Sequence, residues 1–294
     1  MRSRIRLIVF VTLVAGALLP AAAASSAGRA VPTCQGWPAT QVGTPGPEWI
    51  YGTNGDDVIV GLGGDDIIYG YGGMDRICGS GGNDIIYGGD GTDFLYGNAG
   101  GDRLYGNAHM DHLFGGGGND KLYPGLGESS RSYGQRGRDR IYILEGNDNF
   151  VNGGPGRDWL MFNAANEGVE INLGWATPGW CFASNCPGLS GAISGVENFT
   201  GTNFSDTIVG DDLRNIIWGL KGDDWLIGGA GDDRILGHDG TDTLSGQLGD
   251  DDLLGGSATD YGDGGPDSNL GGIDQDVCFL IEFPQNCSIL YSKN

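Results

Sequence analysis

The chain of 294 residues carries 59 glycines and a formal charge of −22, from 38 acidic side chains against 16 Lys plus Arg. Its acids are 31 Asp and only 7 Glu, a balance suited to turns rather than helices. The 11 prolines are too few for collagen, the carboxylate field excludes nucleic-acid binding through a basic face, and disorder is left as the rival of an ordered fold.

Arg2, Arg4 and Arg6 precede an almost wholly apolar run from Leu7 to Leu19, and Ala21 to Ala24 then supply an A-x-A type cleavage site. That is the pattern of a secretory signal peptide. The apolar run is short for a membrane span. Cleavage after Ala24 is therefore expected, with Ala27 and Ala30 as further positions, and an exported chain with no later membrane span. Six cysteines suit an oxidising compartment. Their grouping in sequence pairs Cys181 with Cys186 and Cys278 with Cys287, which leaves Cys34 for Cys78. No C-x-x-C is present, so a zinc ribbon or thioredoxin-like site has no support.

From Gly52 a nine-residue unit recurs eight times without a gap, opening with Gly52, Gly61, Gly70, Gly79, Gly88, Gly97, Gly106 and Gly115. The sixth position is always Asp: Asp57, Asp66, Asp75, Asp84, Asp93, Asp102, Asp111 and Asp120. The eighth is always Ile or Leu, from Ile59 to Leu122, and the fourth is Gly except at His109. Register slips through Pro124 to Tyr133, and weaker units follow around Asp139, Asp148 and Asp158, where slippage is expected to disturb the geometry between turns. After a non-repetitive stretch, counting by nine resumes with Asp206, Asn215, Asp224, Asp233, Asp242, Asp251 and Asp260.

This is the nonapeptide G-G-x-G-x-D-x-U-x, with U apolar. Units such as GLGGDDIIY, GSGGNDIIY and GGAGDDRIL resemble the hemolysin-type (RTX) calcium-binding repeats, over most of residues 52–160 and 201–262. The opening CQGWPATQVGT, the RICG at 76–79 and the closing GDGGPDSNLGG are similar to those of secreted actinobacterial members of that group. The resemblance implies an all-β, right-handed parallel β-roll, a solenoid with Ca²⁺ held between turns two units apart. Many members of that group leave by a type I system read from the C-terminus, whereas the N-terminal signal here points to general export.

The residues support the same reading independently. A nine-residue unit divides into a turn of six and a strand of three, and in the strand only the eighth residue faces inward. Two units then make one eighteen-residue coil with a strand on each of two facing sheets. Stacked coils would set successive Asp about 4.8 Å apart, a ladder that repels itself. Ca²⁺ resolves this, because it takes six to eight hard oxygen ligands and glycine-rich turns expose backbone carbonyls. His and thiolate ligands are absent from the repeat, which disfavours zinc and copper. Local capping of turns explains Asp or Asn at single positions, not a ladder.

The ninth residues Tyr69, Tyr87, Tyr105 and Tyr123 should stack on the outer face of one sheet. Val60, Cys78, Tyr96 and Phe114 form the equivalent row on the other. A Cys34–Cys78 bridge would lay the N-terminal segment, with Trp37 and Trp49, over that second sheet. His109, His112 and His238 fall at fourth, seventh and second repeat positions and read as solvated substitutions. H-E-x-x-H, G-x-S-x-G and G-x-x-x-x-G-K-[ST] are all missing. The periodic carboxylates already have a metal explanation, so no glycosidase dyad is invoked and no enzyme is expected.

The organisation expected is a signal peptide over 1–24 and an N-terminal segment over 25–51 packed on the first array. A first calcium-binding array over 52–123, irregular repeats over 124–161 and an insert with a disulfide loop over 162–200 follow. A second array over 201–263 and a C-terminal cap over 264–294 complete the chain. The function expected is secreted, multivalent Ca²⁺ binding coupled to folding. The alternatives are a calcium-stabilised adhesin with a cell-surface or polysaccharide partner and, behind it, a cryptic hydrolase using the insert.

Overall fold

The computed structural model describes residues 31–126, 129–144, 150–174, 179–182 and 191–265, together with the strands Val277–Phe279, Phe283–Gln285 and Ile289–Tyr291. The expected signal peptide, Asp148, Cys186 and Cys287, and the side chains of Cys181 and Cys278, lie outside the described residues. Strands of the unit Pro32–Asn294 form one 13-stranded and one 15-stranded sheet, wound as a parallel β-solenoid of about 11 turns. No helix occurs among the described residues.

Successive coils are offset by eighteen residues, so Leu104 pairs with Ile86 and Leu122, and Leu95 with Ile77 and Leu113. The eighth positions face one another across the roll. Ile68, Ile86, Leu104 and Leu122 on one sheet, and Ile59, Ile77, Leu95 and Leu113 on the other, are each 0% exposed. The alternation of a pleated strand puts their neighbours outside.

Pairing extends further than the three residues the repeat suggests. Within the two arrays most runs cover six, as in Arg76–Gly81 and Arg103–Ala108. The reason lies at the second repeat position, where Tyr71, Ser80, Asn98 and Asn107 adopt φ of 77°, 83°, 72° and 74°. That left-handed conformation bends the chain while keeping it beside the same neighbour. At the fourth position the constraint is tighter. Gly100 has φ of 139°, and a Cβ there would collide with the carbonyl oxygen of Gly82 in the coil below.

The sheets start before Gly52. Gln41–Val42 pairs with Val58–Val60, and Trp49–Tyr51 with Ile67–Gly72. At the other end Val277–Phe279 and Ile289–Tyr291 extend one sheet and Phe283–Gln285 the other. Cys34 is disulfide-bonded to Cys78, which draws the N-terminal segment over the 15-stranded sheet. There the Arg76 guanidinium lies over both the Trp37 and Phe94 rings, at 4.6 and 4.4 Å. Trp49 does not join Trp37. It belongs to the opposite sheet, beside Tyr51 and Tyr69, because its strand begins the next coil.

The described strands between residues 162 and 200 all belong to the two sheets of the solenoid. Val169–Asn172 is laid down in the 15-stranded sheet with room for two strands between it and Phe150–Asn152. Gly179–Phe182, antiparallel to both its neighbours, and Gly191–Ser194, parallel to Phe150–Asn152, fill that room. Asn198–Thr200 then resumes the other sheet directly beside Trp159–Met161. Val169, Ile171 and Leu173 are buried, as their alternation predicts, and Phe162 and Phe199 enlarge the core where the turn chemistry lapses.

The core predicts a local cost for truncation. Leu104→Ala should lower stability by roughly 2–5 kcal/mol in saturating calcium, as the lost methyls leave a cavity that stacked coils cannot close. Denaturant unfolding followed by circular dichroism measures this, and a change below 1 kcal/mol would contradict a packed interior.

Candidate metal centre

The described sixth-position Asp are buried in the turns, and the turns give most of them the same bonds. One carboxylate oxygen, Oδ1, accepts the backbone N–H of the Asp one coil earlier. Asp66 donates to Asp84, Asp84 to Asp102, Asp102 to Asp120, Asp120 to Asp139 and Asp139 to Asp158, at 2.7 to 2.8 Å. On the opposite side of the roll Asp57 donates to Asp75, Asp75 to Asp93 and Asp93 to Asp111, at 2.8 to 2.9 Å. In the second array Asn215 donates to Asp233 and Asp233 to Asp251, while Asp206, Asp224, Asp242 and Asp260 form the companion row.

The other oxygen is the chemically informative one. Oδ2 is buried without a hydrogen-bond donor in Asp66, Asp75, Asp84, Asp93, Asp102, Asp111, Asp120, Asp139, Asp158, Asp224, Asp233 and Asp242. A buried carboxylate oxygen with no partner is costly, and its repetition along a row needs an explanation. Its surroundings supply one. A Cβ on Gly97 would meet both Asp102 Oδ2 and the carbonyl oxygen of Gly115, so carboxylate and carbonyl oxygens converge from adjacent coils. Among the described residues no group of three acidic, Cys or His side chains is placed to hold a metal ion. The oxygens that do lie beside each Oδ2 are backbone carbonyls, hard-oxygen chemistry that would suit Ca²⁺ held between coils.

Electrostatics agrees. Burial pushes the carboxyls of Asp75, Asp84, Asp120 and Asp158 up to about 7 and those of Asp111, Asp224 and Asp233 up to about 8. Asp93, Asp102, Asp139, Asp206, Asp242 and Asp251 are raised to about 6 by the same cause, and Asp66 is raised as well. In most of them a single backbone N–H opposes the burial, and in several the next carboxylate along the row adds to it.

Two of the Asp marked out by the repeat differ from the rest. Asp57 Oδ2 accepts both the backbone N–H and the hydroxyl of Thr53, at 2.7 and 2.9 Å. Asp206 Oδ2 accepts the Thr202 N–H at 2.7 Å, and its Oδ1 accepts the Thr202 hydroxyl at 2.9 Å. Both belong to a G-T-N-x-x-D unit at the start of an array, Gly52 to Asp57 and Gly201 to Asp206. Threonine there supplies the donors that other rungs lack. Asn215 is likewise satisfied, with its amide donating to the Glu197 carbonyl at 2.9 Å.

Among the described residues the units at Asp139 and Asp158 keep their ladder, contrary to the disruption expected from slippage. Leu122 pairs with Ile141 and Ile141 with Leu160, a step of nineteen. The extra residue is taken up in the turns between Leu122 and Ser132 and between Ile141 and Val151, on one side of the roll only. Asp139 and Asp158, on the other side, stay in line. On the slipped side Ser130 takes the rung, its hydroxyl accepting the Asp111 N–H at 3.1 Å.

Four further rungs went unread in the sequence. Glu48 donates its N–H to Asp66 Oδ1, the Thr40 hydroxyl donates to Asp57 Oδ1, and Glu197 Oε2 accepts the Asp158 N–H. Counting back eighteen from Asp66 and Asn215 would have reached Glu48 and Glu197. Ser130, the fourth, is hidden by the extra residue.

The RTX calcium-binding nonapeptide repeat model matches residues 42–77, 69–104, 96–129, 200–235 and 236–270, more than half of the chain. The chain belongs to the RTX calcium-binding repeat family. Among curated proteins none matches it significantly. The RTX match leaves out residues 130–199, where Asp139 and Asp158 nevertheless continue one row of the roll. The three histidines have structural surroundings. His109 accepts the Gly91 N–H at 3.3 Å, His112 stacks on Phe94 at 4.6 Å, and His238 meets the Trp218 ring edge-on at 6.3 Å.

Two outcomes are expected. Asp84→Asn and Asp233→Asn should each lower the number of calcium ions bound, whereas Asp57→Asn and Asp206→Asn should leave it unchanged; calorimetric titration counts them. A second concerns protons. Carboxyls whose folded pKa lies above the unfolded value near 3.9 hold their protons better in the roll. In chelator the roll should thus be most stable near pH 4 and lose stability as pH rises through 6 to 8. Circular dichroism melts across that range read this directly, and a metal-free chain that gains stability with rising pH would contradict it.

Proposed function

We propose that this is an exported protein whose roll forms when Ca²⁺ enters the two rows of turns, with first and second arrays over 52–123 and 201–263. The single observation carrying the proposal is the repeated, donorless Oδ2 of Asp66 to Asp120 beside converging carbonyls. The ligands proposed are Asp66, Asp75, Asp84, Asp93, Asp102, Asp111, Asp120, Asp139, Asp158, Asp224, Asp233 and Asp242, with Asp251 and Asp260 at the end of their rows. When bound, calcium supplies the positive charge that lets carboxylates from neighbouring coils lie in line. The chain itself supplies left-handed turns, an inward apolar row and the backbone donors that fix each Oδ1.

Export is supported by the basic and apolar N-terminal pattern and by the Cys34–Cys78 disulfide, which suits an oxidising compartment. Extracellular calcium modules bind at about 10⁻⁴–10⁻³ M, so such a chain stays unpaired inside the cell and folds outside it by mass action. A surface-interaction role is favoured by one further observation. The tyrosine row runs unbroken on an outer face, from Tyr51 through Tyr69, Tyr87, Tyr105 and Tyr123 to Tyr142, with rings stacked at 4.4 to 5.7 Å.

A calcium titration of the mature protein, followed by circular dichroism at neutral pH, tests the main proposal. A cooperative gain of β-structure in the millimolar range, reversed by chelator, is expected. A chain fully folded in chelator, with a melting temperature unmoved by calcium, would overturn it.

A further inference from the structure

The chain's positive charge is concentrated where the repeat is least regular. Of the twelve Lys and Arg beyond residue 30, five fall between Arg131 and Arg157. Arg138 and Arg157 occupy the position just before a ladder Asp, which elsewhere holds Asp65, Asn83 or Asn119 and accepts a backbone N–H from the next coil. Arg140 lies on the outer face of the adjoining strand and pairs in register with Trp159, which is followed by Asn198 and Ile216. These six side chains line a cleft of about 270 Å³.

None of the three guanidinium groups is committed to an ion pair. The one salt bridge among the described residues joins Lys221 to Asp239, at 4.0 Å. Glu197 senses the Arg157 charge, but its Oε2 already accepts the Asp158 N–H, and Asp139 and Asp158 are buried beneath the turn. Asn198 is buried too, its amide donating to the Asp158 carbonyl at 3.0 Å. The cleft therefore offers cations, with an indole in its wall, in a protein otherwise strongly negative.

The outer row continues from Arg140 to Lys121 and Arg103, one strand at a time, beside Tyr142, Tyr123 and Tyr105. That makes a straight line of cations at about 4.8 Å intervals. The tyrosine faces are consumed by stacking on each other, at 4.4 and 4.5 Å between Tyr105, Tyr123 and Tyr142, which leaves ring edges and hydroxyls. Flat nucleobases need open ring faces. Sugar hydroxyls need donors and acceptors, and regularly spaced carboxylates need arginine forks.

We infer that the Arg138, Arg140 and Arg157 cleft, with the Arg103–Lys121 row leading into it, binds a linear acidic saccharide through its uronate carboxylates. The inference deepens the surface-interaction reading and requires the roll to be folded, not that calcium be its signal.

Calorimetric titration of the calcium-loaded protein with a galacturonate oligomer too short to gel with calcium tests it. Binding that weakens as salt rises is expected, with affinity reduced about tenfold or more in Arg138→Ser/Arg140→Ser/Arg157→Ser and unchanged in Arg214→Ser. Circular dichroism in calcium establishes that the triple variant folds; Arg140→Glu, on an exposed strand position, gives the same loss should it not. No binding to the wild type, undiminished binding to the folded variants, or equal binding of the methyl-esterified oligomer, inorganic sulfate or single-stranded DNA overturns the assignment. Failure of calcium-coupled folding would be read separately, in the spectrum rather than in saccharide affinity.

Discussion

Everything in this molecule depends on one half-satisfied carboxylate, repeated coil after coil. Its first oxygen holds the backbone of the coil before it, as in the bond from Asp84 to Asp102. Its second is buried beside glycine, facing a carbonyl rather than a donor. The first bond fixes the register of the stack. The second makes that register unfavourable for a charged carboxylate until a proton or a hard cation arrives. Order and the proposed cation binding are thus two aspects of the same group.

The remaining features follow from holding such groups in line. Each coil contributes only one fully buried apolar residue per nine, such as Leu95 or Leu104, so hydrophobic burial alone is thin. Where the ladder is complete, that is enough. Where the Asp rows lapse, between Asp158 and Asp206, Phe162 and Phe199 enter the core and two added strands, one of them antiparallel to the rest, widen one sheet. Apolar bulk and added backbone pairing there take over from turn chemistry. Thr53 and Thr202 do the equivalent work at the first rung of each array, each donating to the carboxylate of its own turn.

The two faces of the roll have different fates. The face bearing Val60 and Cys78 is partly covered by the N-terminal segment through the Cys34 bridge and the Arg76–Trp37 contact. Among the described residues no segment lies over the tyrosine face, which adjoins the cationic row. A solenoid presents any outward position as a straight line, so a few substitutions at one repeat position create an extended surface.

The sequence by itself determined the solenoid, the inward row and most of the Asp rungs, because each is a matter of phase: Asp57 to Asp120 and Ile59 to Leu122 recur every nine residues whatever surrounds them. It also carried the Cys34–Cys78 pairing through the grouping of the cysteines. Only the tertiary structure decided which rungs are chemically alike. Asp57 and Asp206 match their neighbours in the repeat, yet Thr53 and Thr202 already satisfy them. Asp139 and Asp158 follow a slipped register, yet they stay in line because the extra residue is absorbed on the opposite side of the coil. Glu48 and Glu197 lie outside the motif and still join the row. A repeat records position along the chain, whereas the state of a carboxylate is set by what the coils above and below bring to it.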